Sequence, residues 1–432
     1  MNPGQDGLNA RRPHGGRHRR ARGTAGTVVN SMDGTAQRTL LITLTGRDRP
    51  GVTSRLFATL AGFPVTVADV EQVVIRGRLV LGVLVSYADG ADIGRVWTAA
   101  ERVATDLDME VELSTGRDRA VPRRRGRLHV TVLGAPLLPA AMAGIAGRIA
   151  ANGANIDRIE RLAGYPVTCI EMDVSGADKT TLRAALAQEA AERQVDVAVQ
   201  PGGLQRRAKR LIVMDVDSTL ILGEVIELLA EQAGCLDEVA KVTGAAMRGE
   251  LDFEGSLRER VALLAGLDAG ALEIVRKKIE LAAGARTMVR TLKRLDYKFA
   301  IVSGGFTQVT DALVEDLGID YSAANTLEVQ DGRLTGRVVG PVIDRAGKAA
   351  ALERFAREAG IPISQTVAIG DGANDLDMLQ AAGLGIAYNA KPVVRQAADT
   401  AVNVPYLDTI LFLLGISRED VEAADAADPS VG

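Results

Sequence analysis

Two aspartates stand close together at the end of an apolar run, in the segment LIVMDVDSTL at residues 211–220. If the two-residue alternation of a β-strand persists to the end of this run, the side chains of Asp215 and Asp217 face one pocket. Crowded carboxylates repel each other, so this arrangement is useful where a divalent cation neutralises part of the charge and one carboxyl takes up a proton. Taken alone, the DVDST segment is also typical of a turn or a helix N-cap.

A third carboxylate, Asp371, follows another apolar run in the segment GDGAND, together with Asn374 and Asp375. These side chains offer only oxygen ligands, which favour Mg²⁺. The three histidines stand at positions 14, 18 and 129, so no imidazole lies near these motifs in the chain. Chemistry downstream of residue 129 must therefore use carboxylates, hydroxyls, lysine or arginine.

The elements that must position these residues are predicted from the apolar pattern after Lys209. The segments RLIVMD, KFAIVSGG, TVAIGDG, LGIAYN and TAVNV have the apolar character of buried strands and alternate with helical stretches. This order predicts a doubly wound parallel sheet of the α/β class. Ligands bind such sheets at the carboxyl ends of the strands, where Asp215, Ser303 and Asp371 stand.

Four segments in this order, DVDSTL, VSGGF, the lysine at 348 and IGDGANDLDM, resemble the signatures of the haloacid dehalogenase superfamily of phosphotransferases. The resemblance implies that Asp215 attacks phosphorus to give an aspartyl-phosphate and that Asp217 transfers protons. It also implies Mg²⁺ as the cofactor, bound by the carboxylates of Asp215 and Asp371 and by the backbone carbonyl of Asp217. The residues that it assigns to the phosphoryl group are Ser303, Gly304, Lys348 and Asn374. Without the resemblance, Lys348 is also typical of a solvated helix residue.

The insert at residues 222–284 is expected to be a helical cap. From residue 209 to about 414 the chain resembles the phosphoserine phosphatase family, which implies phosphoserine as the substrate. The resemblance assigns the substrate's ammonium and carboxylate groups to Glu224 and Arg260, and the exclusion of water to Met247 and Phe253. From the residues alone, Glu224 is equally typical of a helix start, and Arg260 of an exposed partner of a nearby glutamate.

Two repeated modules precede the sheet. Each has the order β-α-β-β-α-β of a ferredoxin-like unit, at 37–115 and at 127–202, with a basic linker between them. The turn TGRDRPGV of the first module resembles the ligand loop of ACT domains, which implies an amino-acid effector bound near Gly46, Asp48, Pro50 and Gly51. In the second module only Gly134 matches this loop. The alternative is that both turns only shape a sandwich through which the chain forms a homodimer.

The remaining segments and the composition limit the classes of function. Residues 1–36 form a basic leader that we expect to be disordered, either a targeting or nucleic-acid arm or, more simply, a solvated tail. The phosphatase domain is expected at 208–416, followed by a flexible acidic tail at 417–432. Residues 1–31 carry six arginines and one aspartate, so without their +5 the overall net charge of −4 becomes −9 for the rest of the chain, which argues against nucleic-acid binding. No apolar run reaches the length of a membrane span. Two cysteines give no disulfide framework, so a cytoplasmic protein is expected.

Two alternatives to phosphoserine hydrolysis stay open at this point. The enzyme could act on another small phosphate, or the chain could be a regulatory amino-acid-binding protein whose phosphatase domain is inactive. The presence of Asp215, Asp217, Lys348 and Asp371 speaks against the inactive protein.

Overall fold

The computed structural model describes residues 38–117, 126–203, 206, 208–248 and 250–428, and the expected leader lies outside this part. The chain divides into two compact units at Pro122, and each is described by itself. Among the described residues, no helix has the length and apolar character needed to cross a bilayer.

The first unit is one α/β module. Its elements are β1 (Arg38–Arg47), α1 (Val52–Leu60), β2 (Thr66–Ile75), β3 (Arg78–Tyr87), α2 (Ile93–Asp106) and β4 (Glu110–Arg117). The antiparallel sheet has the order β2-β3-β1-β4. Leu40, Ile42 and Leu44 alternate along β1 and pack on Leu56 of α1 and Ala100 of α2, so one face of the sheet is covered by both helices.

The second unit begins with a module of the same topology, which confirms the predicted duplication. Its elements are β5 (Leu128–Gly134), α3 (Pro139–Ala151), β6 (Asn155–Ala163), β7 (Thr168–Ser175), α4 (Lys179–Arg193) and β8 (Asp196–Pro201). Its sheet has the order β6-β7-β5-β8. One face packs on α3 and α4, whereas Leu133 and Cys169 on the other face belong to the core of the following domain.

The rest of the second unit is the predicted doubly wound sheet with helices on both faces. Its strands are β9 (Leu211–Asp215), β10 (Lys298–Phe306), β11 (Tyr321–Gln330), β12 (Arg333–Val339), β13 (Thr366–Gly370), β14 (Gly385–Tyr388) and β15 (Thr400–Val402). Its order is β12-β11-β10-β9-β13-β14-β15, and all pairs are parallel except β11 with β12. All five residues of β9 are buried, so Asp215 ends a strand in the middle of the sheet.

The helices of this domain include the expected cap between β9 and β10. They are α5 (Val225–Ala233), α6 (Leu236–Met247), α7 (Phe253–Ala262), α8 (Gly270–Lys278), α9 (Ala285–Arg294), α10 (Thr307–Leu317), α11 (Arg345–Glu358), α12 (Leu376–Ala381), α13 (Pro392–Ala397), α14 (Ile410–Leu413) and α15 (Arg418–Ala426). The first four form the cap.

The expectation of a flexible acidic tail from residue 417 is wrong for its first part, because Arg418–Ala426 form helix α15. Ser417 caps the helix by accepting a hydrogen bond from the backbone N–H of Asp420. Asp425 then accepts hydrogen bonds from Arg290 and Arg294 of α9. An acidic residue of this segment therefore forms ion pairs with the basic residues of α9.

Candidate active site

A wide turn follows β9 and separates the two leading aspartates. The strand ends at Asp215, and Val216–Leu220 form a single π-type turn in which Ser218 has a left-handed backbone with φ of 57°. The strand alternation that we expected to orient Asp217 therefore does not extend to it. The turn instead directs the two carboxylates to different partners within one site.

Asp215 and Lys348 form a buried ion pair. Asp215 is 3% exposed, and its Oδ1 accepts hydrogen bonds from the backbone N–H of Val216 and from Lys348 Nζ, each over about 2.7–2.8 Å. Burial raises the pKa of Asp215, and the charges of Asp375 and Asp217 raise it further against the effect of Lys348. Burial alone would lower the pKa of Lys348, but the two carboxylates at its Nζ raise it above its ordinary value.

Three carboxylates converge next to this lysine. Ligand oxygens of Asp215, Asp371 and Asp375 all lie within 4.8 Å of one another. Burial and the charge of Asp375 raise the pKa of Asp371 to about 6, although Thr219 Oγ1 donates a hydrogen bond to its Oδ1 over 3.3 Å. Such crowding in a buried place costs free energy unless a cation offsets it. The all-oxygen donor set fits a hard divalent metal ion.

Asp375 belongs to this trio, although the resemblance to the haloacid dehalogenase superfamily assigned the metal only to Asp215, Asp217 and Asp371. It is fully buried, its Oδ1 lies 2.7 Å from Lys348 Nζ, and its Oδ2 accepts the backbone N–H of Gly372 over 2.9 Å. Its position in GDGAND was visible, but its contact with Lys348 depends on the fold. The carboxylate of Asp217, in contrast, lies outside the trio.

Asp217 is held by donors from two other elements. Its Oδ1 accepts the backbone N–H of Val225 at the start of α5 over 2.8 Å, and its Oδ2 accepts the hydroxyl of Ser303 over 3.0 Å. Burial raises the pKa of Asp217 above its ordinary value, and these two hydrogen bonds only partly oppose that effect. A buried carboxyl with a raised pKa can both hold and release a proton near neutral pH.

Ser303–Gly305 at the end of β10, which we call the serine loop, lie against the cap. Ser303 is buried and its Oγ accepts the backbone N–H of Gly305 over 2.7 Å. A side chain at Gly304 would begin 2.9 Å from Cζ of Phe253, so the phenylalanine ring of α7 lies directly on this loop. A larger residue at Gly304 would therefore require the ring of Phe253 to shift.

Glu224 and Arg260 are two oppositely charged, half-buried residues of the cap. Ser218 donates a hydrogen bond to Glu224 Oε1 over 3.1 Å, while burial and the charge of Asp217 raise the pKa of Glu224 to about 7. Burial lowers the pKa of Arg260, against the attraction of Glu224 and Asp217. Among the described residues no carboxylate lies within ion-pair distance of Arg260, and Glu254 pairs with Arg258 instead.

Met247 and Asn374 were also assigned to the site from the sequence. The side chain of Met247 lies outside the described part of the structure. Asn374 is half-buried, and its Oδ1 lies against Gly372 in the turn that carries Asp371 and Asp375. Its predicted contact with the phosphoryl group stays a prediction.

Three of the four residues of the first unit that were assigned to an effector lie together. Asp48, Pro50 and Gly51 line a cavity of about 460 Å³ at the start of α1, where Gly51 has a φ of 95° that favours glycine. Gly46 belongs to β1 and packs against Met109, so it does not line this cavity. Gly134 ends β5 in the second unit, where Leu137 packs against it.

The chain is similar to known proteins in all three of its domains. The family model of the haloacid dehalogenase-like hydrolases matches residues 212–380, and ACT domain models match residues 38–114 and 127–200. A phosphoserine phosphatase of Streptomyces coelicolor is 61% identical over 91% of this chain and 96% of its own length. One of Mycobacterium tuberculosis is 52% identical over 92% and 98%. The crystal structure of a probable phosphoserine phosphatase from Vibrio cholerae, 35% identical, matches 68% of this chain and 88% of its own with a TM-score of 0.54.

Proposed function

The chain belongs to the phosphoserine phosphatases of the haloacid dehalogenase-like hydrolases, and from this premise we propose that it hydrolyses O-phospho-L-serine to L-serine and phosphate, the last step of serine biosynthesis. The observation that carries the proposal is the convergence of Asp215, Asp371 and Asp375. Two of these carboxylates, Asp215 and Asp375, are buried and form ion pairs with Lys348. A nucleophile, a site for a divalent cation and a fixed positive charge are the parts that phosphoryl transfer requires.

In the first step the carboxylate of Asp215 attacks phosphorus, and the bond from phosphorus to the serine oxygen breaks. Lys348 and the N–H of Val216 keep this carboxylate oriented. Asp217 gives its proton to the departing serine oxygen, so that L-serine leaves as a neutral alcohol rather than an alkoxide. The product of this step is an aspartyl-phosphate on Asp215.

In the second step a water molecule attacks the phosphorus of the aspartyl-phosphate. Asp217, now ionised, takes a proton from this water, the acyl phosphate bond breaks, and phosphate and the free Asp215 carboxylate result. Because Asp217 returns to its protonated form, the cycle closes without another acid or base. The hydrogen bonds from Val225 and Ser303 support this role, since they fix both oxygens of the side chain.

We assign Mg²⁺ to the carboxylates of Asp215, Asp371 and Asp375, with the backbone carbonyl of Asp217 as a further ligand. When bound, this ion neutralises the crowded carboxylates and the negative charge that develops on the transferring phosphoryl group. Ser303, the amide of Gly304, Lys348 and Asn374 bind the remaining phosphoryl oxygens. The cluster of oxygen donors supports a metal, and the choice of Mg²⁺ rests on their hard character.

Selectivity for phosphoserine comes from Glu224 and Arg260. The ammonium and carboxylate groups of the substrate complement these two desolvated side chains, neither of which has an oppositely charged partner within 4 Å among the described residues. Phe253, together with Met247, excludes water above the reacting group, which strengthens each of these contacts. A substrate without an amino-acid moiety would leave both charges unpaired.

We also propose that an amino acid regulates the enzyme through the ACT domains. The cavity beside Asp48, Pro50 and Gly51 opens at the N-terminus of α1, where backbone N–H groups favour a carboxylate. Gly46, in β1, and Gly134, at the end of β5, do not line this cavity, so the proposed effector site consists of the other three residues. Serine added to the purified enzyme should then lower turnover, and Gly51→Ala should remove the response because its φ of 95° strains any other residue.

A homodimer through the ACT modules is the assembly that we propose. Strand β2 is an edge strand whose ten residues are all exposed, and it carries Val67, Val70, Val73, Val74 and Ile75. An exposed apolar edge strand promotes aggregation unless a second copy of the chain covers it. We place the reaction in the cytoplasm, which the two free cysteines support.

An assay of phosphate release tests the proposed function. With Mg²⁺ present, phosphoserine should be hydrolysed with a far higher kcat/KM than a generic aryl phosphate. Equal rates for both substrates would refute the substrate and favour a phosphatase for another small phosphate. No release from either would favour the inactive regulatory protein.

A further inference from the structure

The serine loop leaves the ladder between β10 and β11. In the parallel pairing Val302 is opposite Ala323, whereas the next pair joins Phe306 to Asn325. Three residues of β10, from Ser303 to Gly305, therefore stand against one residue of β11. A loop that has lost its ladder hydrogen bonds needs another restraint if it is to hold a hydroxyl in one place.

The side chain of Asn325 supplies this restraint. It is 1% exposed, and its Nδ2 donates a hydrogen bond to the carbonyl oxygen of Gly304 over 2.8 Å. The peptide plane that holds this carbonyl also holds the N–H of Gly305, which donates to Ser303 Oγ over 2.7 Å. Ser303 in turn donates to Asp217. The amide of Asn325 thus fixes the peptide on which the serine hydroxyl depends.

The other end of the same amide reaches the helix that carries Lys348. Oδ1 of Asn325 accepts the backbone N–H of Ile343 over 2.8 Å. The next residue, Asp344, caps α11 by accepting the N–H of Gly347, and its carbonyl accepts the N–H of Lys348. One side chain therefore joins the serine loop and the start of the lysine helix, two elements that are far apart in the sequence.

We propose that Asn325 is a positioning residue, which holds Ser303 and Lys348 at the separation that the transferring phosphoryl group requires. The inference rests on the proposed function, because these two residues are the ones assigned to that group. Asparagine suits the position since it offers one donor and one acceptor at a single buried place. Aspartate would lack the donor for Gly304, and serine cannot reach both partners.

Gln308, in the first turn of α10 directly after β10, provides a matched control. Its side-chain amide also makes two hydrogen bonds to backbone, donating to the carbonyl of Leu327 over 2.8 Å and accepting its N–H over 3.2 Å. These contacts hold α10 to β11 without touching the serine loop. Gln308 is half-buried, so Gln308→Ala should lower stability through the loss of these two hydrogen bonds, without an effect on the phosphoryl site.

The test compares Asn325→Asp, Asn325→Ser and Gln308→Ala by kcat, by KM for phosphoserine, by competitive inhibition with inorganic phosphate, and by melting temperature. Both variants of Asn325 should lose about 10- to 100-fold in kcat, with the inhibition constant for phosphate raised several-fold. Gln308→Ala should keep both constants within about twofold of the wild type. If only one variant of Asn325 folds, that variant alone is compared with the wild type and with Gln308→Ala.

The inference is overturned if folded variants of Asn325 retain kcat and phosphate inhibition within about twofold, or if Gln308→Ala loses as much as they do. A wild-type enzyme that releases no phosphate from phosphoserine would contradict the proposed function instead. The same variants are then compared on an aryl phosphate, where the positioning of Ser303 and Lys348 matters equally. The two failures are therefore distinguishable.

Discussion

Replacement of Lys348 by methionine removes the positive charge at the centre of the site while keeping most of the side-chain volume. Lys348 is 1% exposed, and its Nζ lies 2.7 Å from Oδ1 of both Asp215 and Asp375. Loss of one partner of a buried ion pair costs about 3–5 kcal/mol, because the remaining charge stays buried and unpaired. Here two carboxylates lose the same partner, although uptake of a proton by one of them limits the cost.

We therefore expect Lys348→Met to lower the free energy of unfolding by about 3–5 kcal/mol at neutral pH without added metal. The pKa of Asp215 is already raised by burial and should rise further in the variant. A raised carboxyl pKa destabilises the fold at pH values above it, so the difference from the wild type should shrink as the pH falls through that pKa.

Urea denaturation followed by circular dichroism measures this difference. The fluorescence of Trp97, the single tryptophan, reports on the first unit and serves as an internal reference. Lys277→Met is the matched control, since Lys277 forms only an exposed pair with Glu273 over 3.7 Å and should cost less than about 1 kcal/mol. If Lys348→Met unfolds within about 1 kcal/mol of this control at neutral pH, the reasoning on the buried lysine is refuted.

Three further predictions concern the substrate, the pH dependence and the C-terminal helix. Arg260→Ala should raise KM for phosphoserine about 30-fold, on the order of 2 kcal/mol, with little change for an aryl phosphate, and Arg258→Ala should change neither. KM of the wild type should rise as the pH falls below about 7, because Glu224, whose pKa is raised to about 7, then becomes protonated and loses the charge that we assign to binding the substrate's ammonium group. In Glu224→Gln this dependence should disappear. Asp425→Ala should lower the free energy of unfolding by about 1 kcal/mol, as measured in urea. Arg290 and Arg294 lower the pKa of Asp425, so the difference in stability between the variant and the wild type should vanish as the pH falls through this pKa. A difference that does not depend on pH would contradict the ion pairs of α15.

The elements that the sequence predicted well are those whose signal is local. Apolar runs with two-residue or helical spacing predicted both ferredoxin-like modules and five strands of the parallel sheet. Strands β11 and β12 were missed because β11 is rich in polar residues, although Asp331 and Gly332, with φ of 49° and 74°, form the kind of turn that marks a hairpin. The turn residues Asp331 and Gly332 therefore indicated a hairpin that the apolar pattern did not.

The site was predictable as a set of residues but not as an arrangement. Motif spacing brought out Asp215 and Asp371, whereas the orientation of Asp217 depends on the left-handed backbone of Ser218, which no pattern in the sequence indicates. Asn325 stands in no motif, since its importance arises only where two distant loops meet. Contacts of this kind are properties of the tertiary structure.

The covalent step is the centre of the mechanism, and it can be measured directly. Wild-type enzyme mixed with phosphoserine and quenched in acid during turnover should carry one phosphoryl group, seen by intact mass and released by hydroxylamine as acyl phosphates are. Asp215→Asn should fold, retain the other site residues and carry no such group. A phosphoryl group that persists in this variant, or a wild-type enzyme that turns over without ever carrying one, would contradict the assignment of Asp215 as the nucleophile.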